Sequence, residues 1–145
     1  MSKLREVCLL IGRIGEDDVV LWSDASGTAV ALPDSRARWE AIWSRRDGIV
    51  EIAHSHPVGP EAFSREDETT MAALVSALGR PLTFSVVAPE RMVRTTFDPA
   101  KSNEDYVKTF VEDEPWWASL LRHASSMREH STPPTTKTPE TPKEE

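Results

Sequence analysis

In the N-terminal third of the chain, short apolar runs alternate with clusters of turn-forming residues. Val7 to Ile14 is apolar apart from Gly12 and Arg13, and Gly15-Glu16-Asp17-Asp18 closes it. Val19-Val20-Leu21-Trp22 follows, then a polar stretch from Ser23 to Gly27, then Thr28-Ala29-Val30-Ala31-Leu32. Short β-favouring runs bounded by Gly, Asp and Ser predict an antiparallel meander of three strands. After that the period changes. Ala37, Trp39 or Glu40, and Trp43 recur at helical spacing, with Asp34 or Ser35 as cap, which predicts a helix through Ser44 that Asp47-Gly48 stops. Trp39 and Trp43 sit four residues apart and are expected to pack as core. Ile49 to His54 reads as a fourth strand.

Met71, Leu74, Val75 and Leu78 form one stripe at i, i+3, i+4 and i+7, so a helix is expected from Ser64 to about Leu78, ended by Gly79. Pro81 to Ala88 and Met92 to Phe97 predict a fifth and a sixth strand. Two further helices are expected, Asn103 to Glu112 and Pro115 to about Arg128, with Pro115 suited to a first helical turn. Trp116, Trp117, Leu120 and Leu121 give the second an apolar face, with one of the two tryptophans turned outward. The class is α+β: a mixed, mostly antiparallel sheet flanked by helices. Residues 1–128 are expected to form one domain. Residues 129–145 are rich in Pro, Thr and Glu, offer nothing to bury, and are expected to be a disordered tail.

Composition narrows the classes. A chain of 145 residues with 39% hydrophobic and 28% charged positions is long enough for one domain with a core. The formal net charge of -7 argues against a nucleic-acid binder, whose footprint is a basic patch. The single cysteine, Cys8, lies in an apolar run and is expected to be a buried structural thiol, so no disulfide framework forms within the chain. No apolar run approaches the roughly 20 residues that span a bilayer, and the basic start is not followed by a signal-peptide core. A cytoplasmic protein is expected.

The chemistry concentrates in His-Ser-His-Pro-Val-Gly-Pro-Glu-Ala-Phe-Ser-Arg-Glu-Asp, residues 54 to 67. Ser64 and Asp67 fit a helix capping box, and a proline-glycine loop between strand and helix needs no function. The histidines point further. Side chains alternate along a strand, so His54 and His56 share a face and can offer two imidazole nitrogens to one tetrahedral zinc. Glu51, an odd number of residues away, faces the other side. Asp67, in the first turn of the next helix, can swing back across the loop. Two His and one carboxylate leave a fourth position to water, the pattern of a catalytic zinc site.

His-Ser-His, seven residues, Ser, two residues, Asp is also the spacing of the JAMM (MPN+) zinc metalloproteases, which this segment resembles, with Pro57 and Gly59 where many members have them. The resemblance covers roughly residues 4 to 97 and is to the compact prokaryotic, stand-alone type. It implies the MPN/JAB fold, an α/β sandwich like that of the cytidine deaminases. It implies one Zn2+ per chain on His54, His56 and Asp67, with the Ser64 hydroxyl donating to the oxyanion. The family's general base is a Glu at the start of an upstream strand, which Glu6-Val7-Cys8-Leu9-Leu10-Ile11-Gly12 resembles, so the resemblance makes Glu6 the base. Here the inner glycine of that strand is missing, the run is one residue shorter, and only five residues precede Glu6. Glu40 is the reserve candidate, with a solvated or ion-paired role expected. His123 and His130 are expected on the surface.

The function so implied is cleavage of peptide or isopeptide bonds at the C-terminal tail of ubiquitin or a ubiquitin-like modifier, or the processing of a sulfur-carrier protein. Partners would be that substrate and the activating and conjugating enzymes of its pathway, with no nucleic acid and no membrane. Two alternatives stand beside it: a non-catalytic MPN scaffold that binds partners, and a RadC-like DNA-associated protein, which shares the His-x-His-Pro-x-Gly loop. The acidic charge disfavours the last.

Overall fold

In the computed structural model, which describes residues 4–25 and 36–127, the apolar runs become a six-stranded sheet with helices on both faces. The strands are β1 (Val7–Ile14), β2 (Asp17–Ala25), β3 (Glu51–Ser55), β4 (Leu82–Val87), β5 (Met92–Phe97) and β6 (Thr109–Phe110), and the helices are α1 (Arg36–Ser44), α2 (Arg65–Leu78) and α3 (Trp116–Ala124). The strand order is β2-β1-β3-β4-β5-β6. Every neighbouring pair is antiparallel except β3 and β4, which α2 joins as a parallel crossover. The α+β class, with a mixed and mostly antiparallel sheet, is therefore as expected.

Alternation along the central strands sorts the core into two layers. Cys8, Leu10, Ile52, Phe84 and Val86 face α1 and α2, where Ile42, Met71, Leu74 and Val75 meet them. Val7, Leu9, Ile11, Ala53 and Val87 face α3, against Trp117, Ala118 and Leu121. Each fully buried Val, Leu, Ile, Phe or Met side chain among them contributes roughly 1.5–3 kcal/mol. Gly12 lets β1 pass close under Gly48: a Cβ there would lie 3.0 Å from the Gly48 carbonyl oxygen. Cys8 is buried as expected, and burial pushes its thiol up to about 12.

Four expectations need correction or delimiting. Asn103 to Glu112 is not a helix. Asn103 instead folds its side chain back onto Asp98, accepting from the Asp98 N–H at 3.0 Å, and Thr109–Phe110 pair with β5 as a short edge strand. From that stretch Tyr106 packs against the α2-side core and Val111 against the α3-side core, while Val107 and Phe110 stay exposed, so a helix there would have had no single face to bury. Trp39 and Trp43 are not core either: both are exposed, and Ala41 and Ile42 of α1 point inward instead. The last helix stops at Ala124, before Arg128, because Ser126 turns to positive φ and Met127 folds back to be fully buried. The expected strand Thr28 to Leu32, the caps Asp34 and Ser35, His130 and the tail lie outside the described residues. As expected, Trp117 is buried while Trp116 faces outward, and His123 is exposed. Among the described residues no helix is long and apolar enough to cross a membrane.

Candidate metal centre

The site begins where β3 ends. Cys8 of β1 stands opposite His54 of β3, so Glu6, two residues before Cys8, is on the same face of the sheet as His54. Ser55, between the two histidines, points the other way. Its Oγ accepts the Val7 N–H at 2.9 Å and the Ser125 hydroxyl at 2.7 Å. The Arg5 N–H reaches the Ser125 carbonyl at 3.3 Å. The residues on both sides of Glu6 are thus tied down from the α3 face, which fixes where the Glu6 side chain emerges.

α2 brings the carboxylate. Ser64 is its N-cap in extended conformation, with its Oγ accepting the Asp67 N–H at 3.0 Å, while Asp67 Oδ2 accepts the Ser64 N–H at 2.7 Å. The capping box read from the sequence is therefore real, and it aims Asp67 rather than competing with it. The same Oδ2 lies 3.3 Å from His54 Nε2 and 3.5 Å from His56 Nε2. The two Nε2 atoms are 3.1 Å apart. A tetrahedral ion with bonds of about 2.0–2.1 Å requires donor atoms about 3.3–3.4 Å apart, and all three separations are close to that. His56 Nδ1 is 2.9 Å from the Pro60 carbonyl oxygen, which can only accept, so Nδ1 carries a proton and the ring is held with Nε2 facing Asp67. Among the described residues, His54, His56 and Asp67 are the group that can hold a metal ion.

These groups face a cavity of about 880 Å³ between α1 and α2, lined among others by Glu6, His54, His56, Ser64, Asp67 and Trp39. The structure thus brings together all five sequence-predicted site residues. Burial pushes the Glu6 carboxyl up, partly offset by the two histidines and Arg38. Burial opposes ionisation of Asp67 as well, but hydrogen bonds from His54, His56 and the Ser64 N–H outweigh it and hold that carboxyl far below the usual carboxylate range. Burial lowers His56, yet its hydrogen bonds to Asp67 and to the Pro60 carbonyl leave it raised on balance. The reserve candidate Glu40 is exposed, ion-paired to Arg36 at 2.9 Å, and away from the cavity. Glu51 faces the α3 side as expected, where Arg94 bridges both its carboxylate oxygens at 2.9 and 3.1 Å.

Sequence reasoning did not find three supporting groups. The Pro60 carbonyl is backbone and leaves no residue-type signal. Phe63 packs edge-on to His54 with ring centroids 6.4 Å apart, and its place just before the cap was the available clue. Tyr106 donates to Glu68 Oε2 at 2.6 Å, a contact between residues 38 apart in the chain that no local pattern announces.

A sandwich whose central strand and crossover helix converge two imidazoles and a carboxylate in a cavity defines a class: an α+β domain able to hold a metal at the end of its parallel strand pair. Residues 4–98 match the family described as prokaryotic homologs of the JAB domain, and the chain belongs to that family. No curated protein matches it.

Proposed function

We propose that the protein is a zinc-dependent peptidase or isopeptidase acting at the C-terminal tail of a ubiquitin-like protein, either a modifier or a sulfur carrier. The observation that carries this reading is the convergence of His54 Nε2, His56 Nε2 and Asp67 Oδ2 within 3.1–3.5 Å beside a buried Glu6. JAB family membership supports it.

His54, His56 and Asp67 would hold one zinc, which lowers the pKa of a bound water toward about 7 and polarises the scissile carbonyl. Glu6, buried beside the two histidines, takes the proton from the attacking water and returns it to the leaving amine. Ser64 Oγ already accepts the Asp67 N–H, which leaves its own proton to donate to the developing oxyanion. The Pro60 carbonyl keeps the His56 ring in one orientation throughout. An extended glycine-rich tail suits the cavity between α1 and α2, because such a strand presents its backbone with little side-chain bulk. Activating and conjugating enzymes of the modifier's pathway are the other partners this reading names.

The test is a panel of ubiquitin-like proteins carrying C-terminal fusions or isopeptide-linked lysine reporters. Release by the zinc-loaded wild type, abolished by chelation and reduced at least about 1,000-fold in Asp67→Asn, is the expected outcome. Full activity in Asp67→Asn contradicts it.

A further inference from the structure

The segment between β5 and β6 lies outside the sequence elements that carry the site, yet it touches the site's supports from two sides. Tyr106 donates its hydroxyl to Glu68 Oε2 at 2.6 Å, and Glu68 adjoins Asp67 in the first turn of α2. The Tyr106 ring packs against Phe97 at 5.1 Å and Phe63 at 6.1 Å between centroids, and Phe63 in turn packs edge-on to His54. Two residues further, Lys108 Nζ lies 3.3 Å from the Glu61 carbonyl oxygen, next to the Pro60 carbonyl that orients His56. The segment itself is braced at its root. Asn103 accepts the Asp98 N–H and donates to the Asp98 carbonyl, and Thr95 Oγ1 donates to the Val107 carbonyl at 2.8 Å.

We propose that Tyr106 is a positioning residue for the metal ligands: its hydroxyl holds the first turn of α2 through Glu68, and its ring holds His54 through Phe63. The inference rests on the assignment of His54, His56 and Asp67 as the ligands. The physical reason is leverage. Asp67 is delivered by the first turn of α2, and the helix's buried residues Met71, Leu74 and Val75 begin a turn later. A hydrogen bond on the neighbouring residue stops that first turn from rotating Asp67 away from the two imidazoles. Groups that orient ligands without touching the metal set affinity by about 10–100-fold, and one placed a residue further out belongs at the lower end of that range.

The experiment measures zinc affinity by chelator competition, with the visible spectrum of the cobalt-substituted protein as a report on coordination geometry. The proteins are the full-length wild type, Tyr106→Phe, Glu68→Gln and Glu68→Leu, and the melting temperature of each metal-free protein is recorded. Tyr106→Phe keeps the ring packing and removes only the hydroxyl. It is expected to weaken zinc about 10-fold and alter the cobalt spectrum. Glu68→Gln retains an oxygen acceptor for the tyrosine and is expected to stay within about threefold of wild type, whereas Glu68→Leu falls with Tyr106→Phe. Equal weakening by Glu68→Gln and Glu68→Leu, with Tyr106→Phe unchanged, overturns the inference in favour of a simple charge effect. A lower melting temperature in Tyr106→Phe with unchanged zinc affinity and spectrum overturns it in favour of a purely structural contact. Wild type that takes up no zinc overturns the ligand assignment, and this inference with it; wild type that binds zinc beside an unaffected Tyr106→Phe overturns this inference alone.

Discussion

The two faces of the central sheet handle buried polar groups in opposite ways. On the α3 face, Ser55 and Ser125 hydrogen-bond one another and the adjoining backbone, and Glu51 is closed off by the Arg94 fork. On the α1/α2 face, Glu6, His54, His56 and Asp67 line a shared cavity. Buried polar groups that pair with each other stabilise and are finished; those that converge on a space are arranged for something that enters it. The same strand, β3, supplies both kinds from successive residues, because its side chains alternate. The closed face also serves the open one, since Ser55 and Ser125 fix the backbone on either side of Glu6.

The sharpest way to separate the faces is to remove function from one without touching the other. Glu6→Gln is nearly isosteric and is expected to lower kcat by about 100- to 10,000-fold while zinc content stays at the wild-type level. Single-turnover kinetics with parallel metal analysis checks this, and lost zinc would make Glu6 a ligand-shell residue. The complementary change is Trp117→Ala, at a fully buried position on the α3 face. It is expected to cost about 3–5 kcal/mol of unfolding free energy in denaturant titrations, with zinc affinity of the folded protein little changed. Should zinc affinity collapse while stability holds, the division between the faces would be wrong.

Ser64→Ala tests the residue that caps α2 and to which the proposed mechanism also gives a chemical role. The lost cap is expected to cost about 1 kcal/mol. The lost oxyanion donor is expected to cost about 100- to 1,000-fold in kcat, well beyond what the cap alone explains. Parallel thermal melts and kinetics separate the two contributions.

The smallest effect is the pH dependence of the metal-free protein. Asp67 is held below its unfolded value, so its contribution is present above about pH 4 and is lost as pH falls toward the folded pKa. His56 is raised, so its contribution is present below about pH 6.5 and is lost as pH rises through the folded pKa. The metal-free protein is therefore expected to gain most from this site between about pH 4 and 6.5, whereas zinc affinity, which needs unprotonated imidazoles, weakens as pH falls through the same window. Urea titrations across pH, with and without zinc, are the check.

How much of this was legible in the sequence depended on how local each cause was. The strand expected from Ile49 to His54 (observed as Glu51–Ser55), the capping box and the α2 stripe are written in residues a few positions apart, so the convergence of His54, His56 and Asp67 could be read directly. The α1 tryptophans misled because helical spacing shows that residues share a face, not which face is buried; Ala41 and Ile42 won the core side. The segment from Asn103 to Glu112 misled for a related reason. Its apolar residues could sit on a helix, but its conformation is set by Asp98, Glu68 and β5, contacts that local spacing does not encode. The Pro60 carbonyl and the Ser55–Ser125 pair were illegible because they exist only once distant parts of the chain meet.

The most direct test of the central claim is the zinc content of untagged protein, measured by mass spectrometry for the wild type beside the His54→Ala/His56→Ala double variant. About one zinc per chain in the wild type, lost in the double variant with the fold intact, is the expected result. A folded wild type that takes up no zinc after reconstitution, or a double variant that keeps it, would contradict the account.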